Sequence, residues 1–185
     1  MARKETITKA DILNAAFELA SEEGFEHVTA RTLAAKAGCS TQPIFRIYKN
    51  MEELLEELFV RITVFFEGFY ADFPSKSDTP FVDLGLAYVK FAQVHSKLFA
   101  LLFASQTGYG KSLYDILNGS NGSVVREINK AKVYGCANSS AIFMKMWIFI
   151  HGCACMALTG DYDLDEEDTK IFLEEAYQSF LTSLN

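Results

Sequence analysis

Residues 29–50 read TARTLAAKAGCSTQPIFRIYKN. Thr29 is a residue that caps helices, and Leu33, Ala34 and Ala37 follow at helical spacing as an inner face. Gly38 ends that helix, because glycine adopts positive φ without steric cost. Ser40 can cap a second short helix, and Pro43 falls in its first turn, where a missing N–H costs nothing. Ile44 points inward, with Ile47 or Tyr48 beyond it. The stretch is therefore helix, glycine turn, helix.

That unit has a physical use. The DNA major groove is about 12 Å wide and admits one α-helix, which enters by its N-terminal end. Ser40, Thr41, Gln42 and Pro43 begin the second helix, and the polar ones suit base edges. A glutamine bonds adenine in two places, its side-chain amide oxygen accepting and its NH2 donating. Arg46 lies one turn beyond Gln42 on the same face. Arg31, Tyr48 and Lys49 are placed to clasp phosphates, which positions a protein without reading sequence. Thr29 stands at a helix N-terminus, whose free N–H groups suit a phosphate.

Working outward, the pattern stays helical. Residues 8–23 form an amphipathic helix with Ile12, Leu13, Ala16, Phe17 and Ala20 inside, Thr8 and Asp11 as a capping box, and Gly24 as its stop. A long helix runs from about Asn50 to Phe73. Further helices are expected at about 80–95, 96–105, 111–118, 121–134, 138–159 and 165–184, with Gly108, Gly110, Gly119 and Gly122 among the punctuation. The fold class is all-α, with residues 1–50 as a three-helix helix-turn-helix domain and 51–185 as a second helical domain.

Composition agrees. The 185 residues are 50% hydrophobic, with three prolines, which excludes disordered and collagen-like chains. The net charge of −7 argues against nucleic acid when taken whole. It is unevenly placed. Residues 1–50 hold seven Lys/Arg and six Asp/Glu, net +1, and residues 51–185 hold ten and eighteen, net −8. Cys39, Cys136, Cys153 and Cys155 make no C-x-x-C, so zinc and thioredoxin-like readings fail, and reduced cytosolic thiols are expected. Met1-Ala2-Arg3-Lys4-Glu5 has no apolar run behind it, so no signal peptide is expected. The apolar segment from Ala141 to Thr159 approaches membrane-spanning length, but Lys145 and His151 interrupt it, and a buried helix is the expectation. The run from Asp161 to Asp168 lacks the central glycine and terminal glutamate of a calcium loop and reads as a solvated helix start. No metal, cofactor or catalytic constellation is expected, and Gly108-Tyr109-Gly110 has no strand before it to make a dinucleotide site.

Residues 8–55 resemble the DNA-binding domain of the TetR family of transcriptional regulators. The matching residues are Ile12-Leu13 with Ala16, Gly24-Phe25, Val28-Thr29 with Arg31, Leu33-Ala34, Ala37-Gly38-Cys39-Ser40, Ile44-Phe45, Tyr48-Lys49-Asn50 and Glu52-Glu53-Leu54. The family usually carries tyrosine at Phe45, phenylalanine at Tyr48 and lysine at Met51. The resemblance adds Phe45 to the DNA-facing set. Trp147-Ile148-Phe149-Ile150-His151-Gly152 is similar to the Trp/His/Gly signature of one subgroup of the family's C-terminal domains.

The resemblance implies a cytoplasmic regulator, not an enzyme, that binds double-stranded DNA. It implies a repressor that pairs with itself through its last two long helices and reads a palindrome whose half-sites lie about 34–36 Å apart. Phe143, Ile150, Phe172, Tyr177, Phe180 and Leu181 are the expected dimer residues. With 16 Phe, 8 Tyr and one Trp, the chain can also line a pocket with rings. Phe65, Phe69, Tyr88, Phe91, His95, Phe99, Phe103, Trp147 and His151 are the expected contacts to a small apolar or aromatic effector. The rival reading is a helical dimer that binds a hydrophobic ligand or a protein partner without specific DNA binding.

Overall fold

The computed structural model describes residues 7–105, 109 and 111–184. The start Met1 to Glu5, and Gly108 and Gly110, fall outside them. All regular structure among the described residues is helical. The chain forms two compact units, Met1–Val64 with Lys97–Gly110, and Phe65–Ser96 with Lys111–Asn185.

In the first unit, α1 spans Lys9–Glu22. The expected capping box is present: the Thr8 hydroxyl accepts from the Asp11 N–H at 3.2 Å, and the Asp11 carboxylate accepts from the Thr8 N–H at 2.9 Å. Ile12, Ala16, Leu19 and Ala20 form its buried stripe. Gly24 then takes φ +109°, where a Cβ would lie 2.7 Å from the Glu26 carboxylate. A short 3-10 turn, Phe25–His27, leads to α2, Ala30–Lys36. Thr29 caps α2 reciprocally with Thr32.

Gly38 turns the chain at φ +65°, and the Cys39 N–H closes back on the Ala34 carbonyl at 2.9 Å. The next helix, α3, spans Gln42–Ile47. Thr41, not Ser40, holds its N-cap position, and its side chain makes no capping bond. Thr41 already has helical dihedrals, so its hydroxyl does not reach forward to the orphan N–H groups, and Pro43 removes one of those donors.

A longer helix, α4, runs unbroken over Met51–Ala71. The Asn50 side chain accepts from the Glu53 N–H at 2.9 Å, and the Glu53 carboxylate accepts from the Lys49 N–H at 2.7 Å. These two bonds fix the exit of α3 to the entry of α4. Also in this unit, α6 (Ser96–Phe99) runs into a single π turn, Ala100–Ala104.

In the second unit, α5 (Val82–Val94) is buried on nearly every side and packs against α9 (Ser139–Thr159) and α10 (Glu166–Thr182). Gly85 permits that closeness, since a Cβ there would meet Leu173 at 2.8 Å and Ile150 at 3.0 Å. Phe81 precedes α5 with φ +67°, an unusual conformation for an aromatic residue. The buried Glu127 of α8 (Ser123–Val133) holds it there by accepting from the Phe81 N–H at 2.5 Å. The Phe81 ring lies between Phe143 and Tyr177. A further short helix, α7, spans Leu113–Asn118. The run from Asp161 to Asp168 is largely exposed, and Asp165 caps α10 by accepting from the Asp168 N–H at 2.9 Å. Cys39, Cys136, Cys153 and Cys155 are free thiols.

The two-fold character of α9 is plain in the second unit. Ile142, Met146, Ile150, Cys153 and Ala154 are buried. Met144, Ile148 and Met156 are exposed, Ile148 at 65%. By length and composition α9 could cross a membrane, and its buried face is taken up by α5 and α10.

Candidate nucleic-acid interface

One face of α3 is committed to the core and the other is open. Ile44 and Tyr48 lie four apart and are 0% and 1% exposed. Gln42, Phe45, Arg46 and Lys49 are exposed, with Ser40 and Thr41 exposed just before them and Pro43 half-buried. Helical periodicity makes this division within α3, with residues 42, 45 and 46 on one side and 44 on the other, and Tyr48 and Lys49 follow its end, one buried and one exposed. Phe45 is 48% exposed, a large apolar cost on an isolated surface. Arg31 is exposed on α2. Thr29 is exposed too, but its hydroxyl is engaged with Thr32.

Tyr48 is a correction. Expected to offer its hydroxyl to phosphate, it is instead a core residue. The Lys9 ammonium sits 5.2 Å from its ring centroid and pairs with Glu57 at 2.7 Å. Burial, then the Glu57 carboxylate, push the phenol far above its ordinary pKa, so it never ionises near neutrality. The hydroxyl makes no hydrogen bond of good geometry among the described residues, and the Glu57 carboxylate is the acceptor that acts on it. A buried hydroxyl without a partner costs about 1–3 kcal/mol. Tyr48→Phe should therefore raise stability by about 1 kcal/mol, read as a higher denaturation midpoint with unchanged DNA affinity. A loss of stability would mean that the hydroxyl is satisfied.

The expected effector residues divide between the two units. Phe99 and Phe103 are buried in the first, their rings 5.0 Å apart. The rest lie in the second. There Phe91, fully buried, is the hub: the rings of Phe66, His95, Phe69 and Phe65 surround it at 5.0, 5.1, 5.2 and 6.1 Å. Tyr88 is equally buried, and its hydroxyl lies 2.9 Å from His151 Nδ1. Trp147 stacks on His151 at 5.5 Å, and Cys155 Sγ is 3.5 Å from His151 Nε2. Tyr88 and Phe91 are thus walls behind a surface rather than the surface itself. Phe65, Phe69, His95, Trp147 and His151 are half-buried. Burial depresses the pKa of both His95 and His151, which keeps the two rings neutral near pH 7.

A cavity of about 390 Å³ opens beside these rings, lined by Phe65, Gly68, Phe69, Asp72, Phe73 and Pro74. Only Phe65 and Phe69 of that lining were expected. Gly68 lies on the last turns of α4, and Asp72 and Phe73 follow just past its end, four residues after Gly68 and Phe69, a spacing that could have found them.

The expected dimer residues also divide. Ile150 and Tyr177 are buried within their own unit, at 2% and 0% exposure, and are not available to a partner. Each faces inward because Ile150 packs on Gly85 and the Tyr177 ring lies against Phe81. Phe143, Phe180 and Leu181 are half-buried, and Phe172 is exposed. Ile171 is exposed beside Phe172, and on α9 the exposed apolar residues that were not anticipated are Met144, Ile148 and Met156.

Comparison with known proteins follows this division. Residues 12–58 match the family model of the bacterial regulatory proteins of the tetR family. Residues 81–180 match that of the tetracyclin repressor-like C-terminal domain. No curated protein matches the chain. Solved structures share its fold at low identity. A TetR-like transcriptional regulator from Rhodococcus sp. RHA1 has a TM-score of 0.64 at 18% identity, covering 97% of this chain and 98% of that one. A protein of unknown function from the same organism has 0.66 at 23%, covering 99% and 97%. The fatty acid degradation regulator FadR from Bacillus halodurans has 0.61 at 15%, covering 99% of both.

Proposed function

The chain belongs to the TetR family and is a DNA-binding transcriptional regulator, and from that premise we propose a ligand-responsive repressor that grips a palindromic operator as a homodimer. The observation that carries the reading is the two-faced α3: Ile44 and Tyr48 anchor it, and Gln42, Phe45, Arg46 and Lys49 stand free. Gln42 and Arg46 read base edges, Phe45 packs against the groove, and Lys49 and Arg31 clasp phosphates.

Residues 1–50 carry the DNA contact, and 51–185 carry effector binding and dimerisation. The chain works in the cytoplasm, with α9 as a packed helix rather than a membrane span. The Trp147 and His151 pairing, with Gly152 beside it, supports placing the C-terminal domain in the Trp/His/Gly subgroup. The effector changes DNA affinity only by binding two states of the dimer unequally. The unbroken α4 is the element suited to carry that difference, since it starts at the exit of α3 and ends among the rings around Phe91.

The test is selection of binding sites from a random duplex pool at near-physiological salt. An enriched palindrome is expected. Arg46→Ala should weaken binding to it about 10- to 100-fold, with melting temperature and oligomeric state unchanged. Undiminished binding by that variant would overturn this docking of α3.

A further inference from the structure

We propose that the effector site lies at the C-terminal end of α4 and that it takes a lipophilic organic cation, an aryl quaternary ammonium. This rests on the ligand-responsive reading above and names the ligand class. The cavity there, about 390 Å³, lies within the range of small-molecule pockets, roughly 300–1,000 Å³. Phe65, Phe69 and Phe73 supply aromatic surface. Gly68 leaves the way in: a Cβ built on it meets nothing within 4 Å.

Two features set the sign of the charge. Asp72 alone among the six lining residues is charged, and it is exposed. The cavity sits at the C-terminal end of a 21-residue helix with no basic residue in its last turn. Its free carbonyls present partial negative charge there. Lys76, whose Nζ lies 6.0 Å from the Phe73 ring centroid, carries the opposing charge, and the Glu166 carboxylate pairs with it. The face of an aromatic ring attracts cations through its quadrupole. His95, which lies edge-on to Phe65 and Phe69, adds no opposing charge, because burial keeps it neutral near pH 7. A fatty carboxylate would place its charge beside Asp72 and the carbonyl end of α4. A neutral hydrocarbon would gain the burial but nothing from Asp72.

The test is equilibrium dialysis of the full chain against 2-naphthyltrimethylammonium and its neutral isostere 2-tert-butylnaphthalene. The cation should bind about 10-fold more tightly than the isostere. Asp72→Asn should weaken the cation about 3-fold and leave the isostere unchanged. Gly68→Leu fills open space on a helix, so the fold and melting temperature should hold while both ligands are lost. Equal binding of cation and isostere overturns the ligand class, and undiminished binding by Gly68→Leu overturns the site. Operator binding by the unliganded protein is measured alongside. Operator binding without cation binding sinks this proposal alone, and cation binding without operator binding sinks the regulator reading alone.

Discussion

In the proposed homodimer, Ile148→Glu should split the dimer into monomers and lower the affinity for a two-half-site operator by about a thousandfold or more. Ile148 is 65% exposed, with Met144 and Met156 beside it on α9 and Ile171 and Phe172 exposed on α10. A monomer in water gains nothing from such a set, and contiguous apolar surface of this kind marks a contact with another molecule. In a two-fold dimer each protomer brings the same patch, so one substitution introduces two carboxylates into one interface. Stranding a charge without a partner costs about 3–5 kcal/mol per site, more than enough to split a dimer at micromolar concentration. A monomer then holds one half-site where the dimer holds two, and the loss of the linked second contact accounts for the fall in DNA affinity. The fold should survive, because the side chain replaced faces water within its own chain. Light scattering coupled to gel filtration reads the mass, and a fluorescent operator titration reads the affinity. A variant that stays dimeric would place the interface elsewhere.

Phe91→Ala should destabilise the second unit by about 3–5 kcal/mol. Phe91 is fully buried, and four rings rest on it at 5.0–6.1 Å. Removing it deletes a ring, leaves a cavity and frees its neighbours to shift. Edge-to-face pairs add about 0.5–1.5 kcal/mol each beyond the area they bury, so the loss belongs at the upper end of that range. For a chain of this length the melting temperature should fall by roughly 8–15 °C. Thermal unfolding followed by far-UV circular dichroism measures it. A change below about 1 kcal/mol would mean that the rings around Phe91 repack at little cost. Phe65 and Phe69 line the cavity, so the same variant should also bind any effector less tightly, even where it remains folded.

The sequence was most legible where a short rule of local geometry applies. Thr8 with Asp11 and Thr29 give helix starts by hydrogen bonding within three residues, and Gly24 and Gly38 mark positive φ. Both rules act without tertiary help, and the structure has all of them. Ile44 was legible as the anchor of α3. Tyr48 was not, because a helix of six residues makes fewer than two turns, and Ile47 and Tyr48 both lie close to its inner side. The family's usual phenylalanine at that position was the better guide to its burial. On α9 the pattern carried little information about direction. A helix apolar on every side gives no polar face to mark the outside, and so Ile150 was assigned to the surface that Ile148 occupies. The aromatic set misled for a related reason. Rings at helical spacing fill cores and line cavities alike, and only the fold separates Phe99 and Phe103 from Phe65 and Phe69.

The bond from Glu127 to the Phe81 backbone joins residues 46 positions apart in sequence. It bears on how the chain is made. When α5 leaves the ribosome, neither the carboxylate that closes its first turn nor the helices α9 and α10 that wall it has been synthesised. From Val94 to Thr182 another 88 residues must be added, which takes about 4–18 s at roughly 5–20 residues per second. For that interval eight side chains of α5 that are buried in the folded second unit face solvent. Helices α1 and α2 wait less, since they pack on each other, although their unit also takes in Lys97–Gly110. During translation, the helices around α3 can begin to acquire shape while α5 still lacks the two helices that cover it.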